Sequence, residues 1–348
     1  MESIGVGVVG CGYWGPNLIR NFARHSGCRV VGVCDANLSR VERVAREYGI
    51  QLATGEFEQL LEAPGLNLMV VATPSFTHFE LAKRALLAGK HVLVMKPLTT
   101  NSDDARELVQ LAAERGLLLA VDHTFVFTGA VRHMRKLIDA GELGDLYYFD
   151  SVRINLGLIQ TDVNVLWDLA PHDVSIMDFL FRQEPTSVAA QAVAHGGSPT
   201  ENIAYLTVRF GESLLGNVHV NWLAPAKVRR TIVGGSRKMI VYDDVEPSEK
   251  LKVYDKGVSI SPGERGTDKE YQFMISYRSG DMHAPQLDTK EALAVEVENI
   301  VQAIRGKEPL VSDGVAGERV VRILEAAQRS IEQGGVPIAL AATAEAVP

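Results

Sequence analysis

The chain has 348 residues, a formal net charge of -8, 46% hydrophobic residues and 22% charged residues. This length is too great for one ordinary core and predicts two domains of roughly 100–200 residues each, with globular composition. The acidic balance argues against a nucleic-acid partner, which wants a basic face, and disfavours an anionic membrane surface; a phosphorylated substrate stays open, because a few local Arg or Lys side chains can hold one.

The N-terminus runs straight into a strand, with no basic segment followed by a cleavable apolar stretch. No window of about 18 unbroken apolar residues occurs, so no membrane span is expected and the expected compartment is the cytoplasm. Cys11, Cys28 and Cys34 form no CxxC pair, which reads as small buried thiols in a reducing compartment rather than a zinc site.

In chain order, Ile4–Val9 predicts a strand and Trp14–His25 a helix. Arg29–Cys34 and Ser39–Tyr48 repeat that unit, and Ile50–Glu62 forms a short third one. Leu66–Ala72 is nearly continuous apolar sequence, as a parallel strand buried on both faces should be. Thr77–Ala88 reads as a helix with Gly89 as its C-terminal cap, His91–Val94 as a strand, Ser102–Arg115 as a helix and Leu117–Val121 as a sixth strand. Strands separated by helices of this length predict βαβ crossovers, hence a doubly wound parallel Rossmann sheet over residues 1–123.

After residue 123 the rhythm changes. Leu146–Asn155 alternates like a strand and Trp167–Phe181 reads as a helix. Residues 186–194, 203–210, 214–222, 228–233 and 238–243 read as successive strands. Their spacing predicts an open, mainly antiparallel sheet in an α+β domain spanning 124–348. Residues 245–285 are polar and turn-rich, without an assignment. Helices are expected at Lys290–Arg305 and Val315–Gln333, and a poorly ordered tail at 336–348. An open sheet exposes one face, so a homo-oligomer, dimer or tetramer, is expected, with Leu206, Val208, Val218 and Val220 as candidates for the outward row.

Gly10-Cys11-Gly12-Tyr13-Trp14-Gly15 fits G-x-G-x-x-G between a strand and a helix. The glycines allow a tight turn and close approach to a pyrophosphate, and the helix N-terminus offers free N–H groups to the anion. Asp35 ends the second strand, about 20 residues on, where a carboxylate accepts from the adenine ribose hydroxyls and repels a 2′-phosphate. Ala36, Asn37 and Leu38 follow, without an adjacent Arg. NAD is therefore expected over NADP. Alone, Asp35 would read as a helix N-cap or turn residue. Thr73, Pro74 and His78 follow the fourth strand on the same side, where ligands of this fold sit; His78 equally fits a capping role.

Gly89-Lys90-His91-Val92-Leu93-Val94-Met95-Lys96-Pro97-Leu98 resembles the GKHVLVEKPL signature of the glucose–fructose oxidoreductase, inositol dehydrogenase and MocA family. The resemblance covers nearly the whole chain. It implies a Rossmann domain followed by an α/β domain with an open sheet. A second stretch, Asn155-Leu156-Gly157 followed by residues 160–173, is similar to the branch that acts on nucleotide-linked sugars: 3-dehydrogenases of the UDP-N-acetylglucosamine type and related 3-ketoreductases. The implied activity is hydride transfer between NAD and a secondary alcohol or ketone of a sugar.

That chemistry needs a base for the hydroxyl proton, and the same groups run backwards as acids in reduction. Lys96 sits at the carboxyl end of the fifth strand, where it can hydrogen-bond the reacting oxygen; without the matched Lys96-Pro97 it would read as a solvated strand-end lysine. Asp168 and His172 are four residues apart, on one face if the segment is helical, so the carboxylate can orient the imidazole. Pro171 restricts that reading to a helix whose first turn contains it. Metal binding by Asp168, His172 and Asp173 is disfavoured for want of a third spaced ligand, and no metal is expected. His123, Arg153, Asn155, Gln160, Asp162 and Asn164 are substrate-binding candidates, each alone also readable as a strand-edge, turn or loop residue.

The signature's Glu is replaced here by Met95. The change fits an apolar strand end, or the loss of a carboxylate beside the lysine. Alternative activities are a polyol or free-sugar dehydrogenase, internal oxidation and re-reduction without net redox, and a redox-silent NAD-binding regulator.

Overall fold

The computed structural model describes residues 3–157, 163–262 and 273–341. The chain forms two compact units. One comprises Met1–Gly129, Val174–Phe179 and Thr289–Glu325; the other comprises Ala130–Asp173, Leu180–Asp288 and Ala326–Pro348.

The first unit is built from β1 (Ile4–Val9), α1 (Gly15–Arg24), β2 (Cys28–Cys34), α2 (Leu38–Tyr48), β3 (Leu52–Thr54), α3 (Phe57–Leu61), β4 (Leu66–Val71), α4 (His78–Leu87), β5 (His91–Met95), α5 (Ser102–Glu114) and β6 (Leu119–Asp122). The strands form one parallel sheet in the order β3-β2-β1-β4-β5-β6. This is the doubly wound Rossmann order, with the chain reversing direction across the sheet between β1 and β4. Local chemistry sets the boundaries. Asn37 caps α2 through the Arg40 amide, Gly49 ends it in the left-handed conformation, and Asn101 caps α5 by accepting the Asp104 amide at 2.8 Å.

The other elements are α6 (Gly129–Asp139), β7 (Leu146–Leu156), α7 (Val165–Phe181), β8 (Ser187–Val193), β9 (Ile203–Phe210), β10 (Leu214–Asn221), β11 (Leu223–Gly235), β12 (Met239–Asp243), β13 (Leu251–Tyr254), β14 (Gly257–Pro262), β15 (Phe273–Arg278), β16 (Met282–His283), α8 (Ala292–Ile304), α9 (Gly314–Glu332) and β17 (Ile338–Ala339). The second unit's large sheet has the order β16-β13-β12-β11-β7-β10-β9-β8-β17. It is mainly antiparallel, but β7 and β10 pair in parallel. Phe181 meets Phe149 and Phe210 edge-on over its buried face.

Helix α8 packs Leu293, Val297 and Ile300 into the same core as Val6, Val8, Leu18 and Phe22 of the Rossmann unit. The late helical segment thus returns to the first unit, although the sequence rhythm places it with the second.

Three expectations are corrected. Leu206, Val208, Val218 and Val220 are buried, not outward. The period of two is as expected with the opposite facing, so Tyr205, Thr207, Asn217 and His219 lie on the other side. Residues 338–339 of the expected disordered tail are a strand paired with β8, while 342–348 lie outside the described residues. Pro171 is inside α7 rather than in its first turn. It removes one backbone bond, to the carbonyl of Trp167, and the helix continues on both sides.

Candidate cofactor and catalytic site

The glycine loop joins β1 to α1 at the carboxyl edge of the parallel sheet. Gly10 has φ of 101°, a left-handed conformation, and a Cβ there would run into the Ala72 carbonyl. A Cβ on Gly15 would strike the Gly10 carbonyl. Gly12 differs: a Cβ would meet nothing within 4 Å. Two glycines thus serve packing and the middle one leaves a space open on its ligand side. That arrangement fits a dinucleotide pyrophosphate seated over the α1 N-terminus.

Two carboxylates grip this loop from within its own unit. Asp35 accepts the Cys11 amide at 2.7 Å and the Asn37 amide at 2.8 Å. Asp122, at the end of β6, accepts the Trp14 indole N–H at 2.9 Å. Tyr13 stands 92% exposed between these attachments. Burial pushes the Cys11 thiol up to about 12, so Cys11 remains a neutral thiol beneath the loop.

The ends of β4 and β5 are braced together. His78 is buried, with Nε2 2.9 Å from the Thr73 carbonyl and Nδ1 2.8 Å from the Pro97 carbonyl. Burial holds its pKa below the ordinary value, against the pull of those carbonyls. A neutral imidazole donates to one of the two. His78 is therefore a clamp behind the edge, tying Thr73 and Pro74 to Lys96 and Pro97. The Lys96–Pro97 peptide bond is cis. Thr73 and Thr77 share a hydroxyl bond of 2.6 Å.

His123 follows β6 and is fully buried; its Nε2 has no hydrogen-bond partner among the described residues. Burial, reinforced by the Lys96 charge, pushes it down to about 3. Lys96 is thus close enough to both His78 and His123 to act on each electrostatically.

In the second unit, Arg153 and Asp173 form a buried bidentate pair at 2.6 and 3.2 Å, and the Ser151 hydroxyl donates to the same carboxylate at 2.6 Å. Asp173 is buried. Asn164 accepts the Trp167 amide at the start of α7 and donates to Glu201 and Gln328. Asp168 accepts the Trp222 indole N–H at 3.1 Å. His172 lies one turn on from Asp168 in α7, and Asn155 is half-buried near the end of β7. Gln160 and Asp162 lie outside the described residues. Among the described residues, no group of three or more His, Cys, Asp or Glu side chains could hold a metal ion, and no helix is long and apolar enough to cross a membrane.

Sequence reasoning missed Asp122 and Glu296. Asp122 precedes His123 at a strand's carboxyl end, which was a usable signal. Glu296 lies on the apolar stripe of α8 with Leu293, Val297 and Ile300, and a carboxylate on such a stripe was another.

A sheet of this order with an open glycine loop and an acid ending its second strand defines a dinucleotide-binding oxidoreductase fold. Residues 4–123 match the oxidoreductase family with the NAD-binding Rossmann fold, and residues 131–241 match the GFO/IDH/MocA C-terminal domain. The chain belongs to the Gfo/Idh/MocA family of NAD-binding oxidoreductases.

It is 28% identical over 316 residues to UDP-N-acetylglucosamine 3-dehydrogenase of Acidithiobacillus ferrooxidans, covering 90% of this chain and 93% of that protein. A solved structure of that dehydrogenase superposes with a TM-score of 0.79 at 26% identity, covering 96% of this chain and 99% of that one. The chain is also 24% identical over 329 residues to scyllo-inositol 2-dehydrogenase (NAD(+)) of Bacillus subtilis, covering 89% of this chain and 87% of that protein. It shares its fold with the WlbA dehydrogenase from Bordetella pertussis, solved with NADH and UDP-GlcNAcA, at a TM-score of 0.79 and 21% identity, covering 98% and 100%.

Proposed function

We propose that this protein transfers a hydride between NAD and a secondary alcohol or ketone of a sugar, with a nucleotide-linked or amino sugar as the substrate class. The observation that carries the reading is the carboxyl edge of one parallel sheet, which bears the loop open at Gly12, the Asp35 carboxylate and Lys96. NAD, when bound, supplies the hydride acceptor. Gly10, Gly12, Tyr13, Trp14, Gly15 and Asp35 are the residues to hold it, with Thr73, Pro74, Lys96 and Pro97 along the edge. The similarity to a UDP-N-acetylglucosamine 3-dehydrogenase over nine-tenths of the chain supports the nucleotide-sugar class.

In this reading the Lys96 ammonium hydrogen-bonds the reacting oxygen and stabilises negative charge developing there. His172 takes the hydroxyl proton during oxidation and returns it during reduction, with Asp168 orienting the ring. His123, whose Nε2 has no hydrogen-bond partner among the described residues, and the half-buried Asn155 are the sugar-binding candidates. Incubating the protein with NAD and UDP-N-acetylglucosamine while following NADH absorbance tests the reading. The likeness to an inositol dehydrogenase favours a second reading, a polyol substrate. NADH formation with inositols but with no nucleotide sugar selects it.

We further propose a homo-oligomer formed through the outward face of the large sheet. Val152, Ile154, Ile232 and Val241 are half-exposed there, interspersed with Thr207, Asn217 and Arg230.

A further inference from the structure

Trp14 is the N-cap residue of α1, and its indole N–H reaches Asp122 Oδ2 across 108 positions of sequence. The other oxygen of Asp122 accepts the Thr124 amide at 3.1 Å, and the Thr124 hydroxyl donates to it as well. An indole N–H and a backbone N–H can only donate, so Asp122 is an acceptor at both oxygens.

Glu296 reaches the same place from α8. It is 2% exposed, and no described group donates to either of its carboxyl oxygens. The charged neighbour acting on it is the Asp122 carboxyl. A buried carboxyl with a second carboxyl acting on it is disfavoured in its ionised form. A proton on Glu296 changes this: the acid becomes a donor, Asp122 gains a further hydrogen bond, and the repulsion disappears. Burial first, and then Asp122, hold the Glu296 carboxyl well above the usual carboxylate range. Leu293, Val297 and Ile300 on the same helix join the core against which Trp14 and Met95 pack, so an apolar residue would serve packing at least as well as a carboxyl.

We infer that Asp122 and Glu296 are positioning residues: the buried Glu296 carboxyl supports the Asp122 carboxyl that fixes the Trp14 indole, and together they hold the glycine loop in its cofactor-binding shape. The loop is then tethered on both sides of Gly12: at Cys11 by Asp35 and at Trp14 by Asp122. Asp122 also lies in register with Met95, the residue before Lys96, so the pair backs the lysine's strand end as well. The inference rests on the NAD reading above and adds the residues that preorganise the site.

The test is NADH titration, followed by nicotinamide fluorescence, of the full chain and its Glu296→Gln, Glu296→Leu and Trp14→Phe variants. No sugar is needed. Glu296→Gln keeps a neutral donor toward Asp122 and should bind within about twofold of wild type. Glu296→Leu removes the donor and Trp14→Phe removes the tethered N–H; each should raise the Kd about tenfold, the scale of one hydrogen bond to a charged group. Equal losses in the Gln and Leu variants, or wild-type affinity in a folded Glu296→Leu protein, overturn the inference. If Glu296→Leu does not fold, Trp14→Phe decides, and unchanged affinity overturns it. A wild-type protein that binds NADH while the variants fail the pattern leaves the NAD reading standing; a wild type that does not bind NADH overturns both.

Discussion

Asp35 Oδ2 accepts the Cys11 amide at 2.7 Å, so the acid that ends β2 is bonded directly to the loop that follows β1. One carboxylate therefore shapes the loop and, in the proposed reading, also faces the adenine ribose. Replacing it should cost more than a ribose contact alone. Asp35→Ser combined with Ala36→Arg should shift preference toward NADP, because the repelling charge is gone and a cation takes its place. Absolute affinity should fall as well, through loss of the Cys11 tether. Calorimetry with NAD and NADP checks both, and tighter NADP binding by the unmodified protein would contradict the assignment.

Arg153 and Asp173 bond bidentately in the interior of the second unit. Removing one member of a buried pair leaves the other charge uncompensated, at a typical cost of about 3–5 kcal/mol. Asp173→Asn and Arg153→Met should each lower the urea midpoint sharply. Were Arg153 chiefly a ligand for a sugar diphosphate, Arg153→Lys would instead raise KM and leave the urea midpoint in place.

How much of this was legible from the chain differs between its halves. Ile4–Val9 and Ile203–Phe210 read as the strands they are, because period and turn residues mark them locally. The glycine loop and Asp35 were equally visible, being local motifs at fixed spacing. Facing was not: alternation shows that Leu206 and Tyr205 point to opposite sides, and only the packed structure shows which side is the core. The return of α8 to the Rossmann core was hidden as well, since an apolar stripe does not say which sheet it covers. Asp122, Glu296 and Trp14 lie far apart in sequence, and no periodicity joins them. The sequence rhythm leaves the helix Gly129–Asp139 unassigned between two strands.

The buried acids and histidines set opposing pH dependences. His123 is held down to about 3 by burial and then by Lys96, against an ordinary value of 6.5. Between those values the unfolded chain binds a proton that the folded one refuses. The stability tied to His123 is therefore intact above about 6.5 and drains as pH falls toward 3. Glu296 works the other way. Its raised folded value means the folded state keeps a proton that the unfolded state releases above 4.5, so stability falls as pH rises from there. His123→Asn should flatten the acid limb of a Tm–pH curve, and Glu296→Gln should raise Tm increasingly toward alkaline pH. Variant curves parallel to wild type would contradict these environments.

The outward face of the large sheet predicts association. Val152→Glu with Ile232→Glu places charge among its half-exposed apolar residues. Analytical ultracentrifugation at micromolar concentration should show an oligomer for wild type and a smaller species for the double variant. A wild-type monomer would contradict the proposal.

The most direct measurement of the central claim is NADH formation from NAD and UDP-N-acetylglucosamine by wild type, Lys96→Ala and His172→Ala, with NADH affinity measured alongside. Loss of one positioned acid–base group typically costs about 100–10,000-fold in rate. Wild type should produce NADH, and each variant should lose at least about two orders of magnitude in turnover while binding NADH nearly as wild type does. Asp168→Asn should cost less than His172→Ala, because it disturbs orientation without removing the proton carrier. Full turnover in both the Lys96→Ala and His172→Ala proteins would contradict the account and move the proton chemistry to another residue, with His123 the first to test.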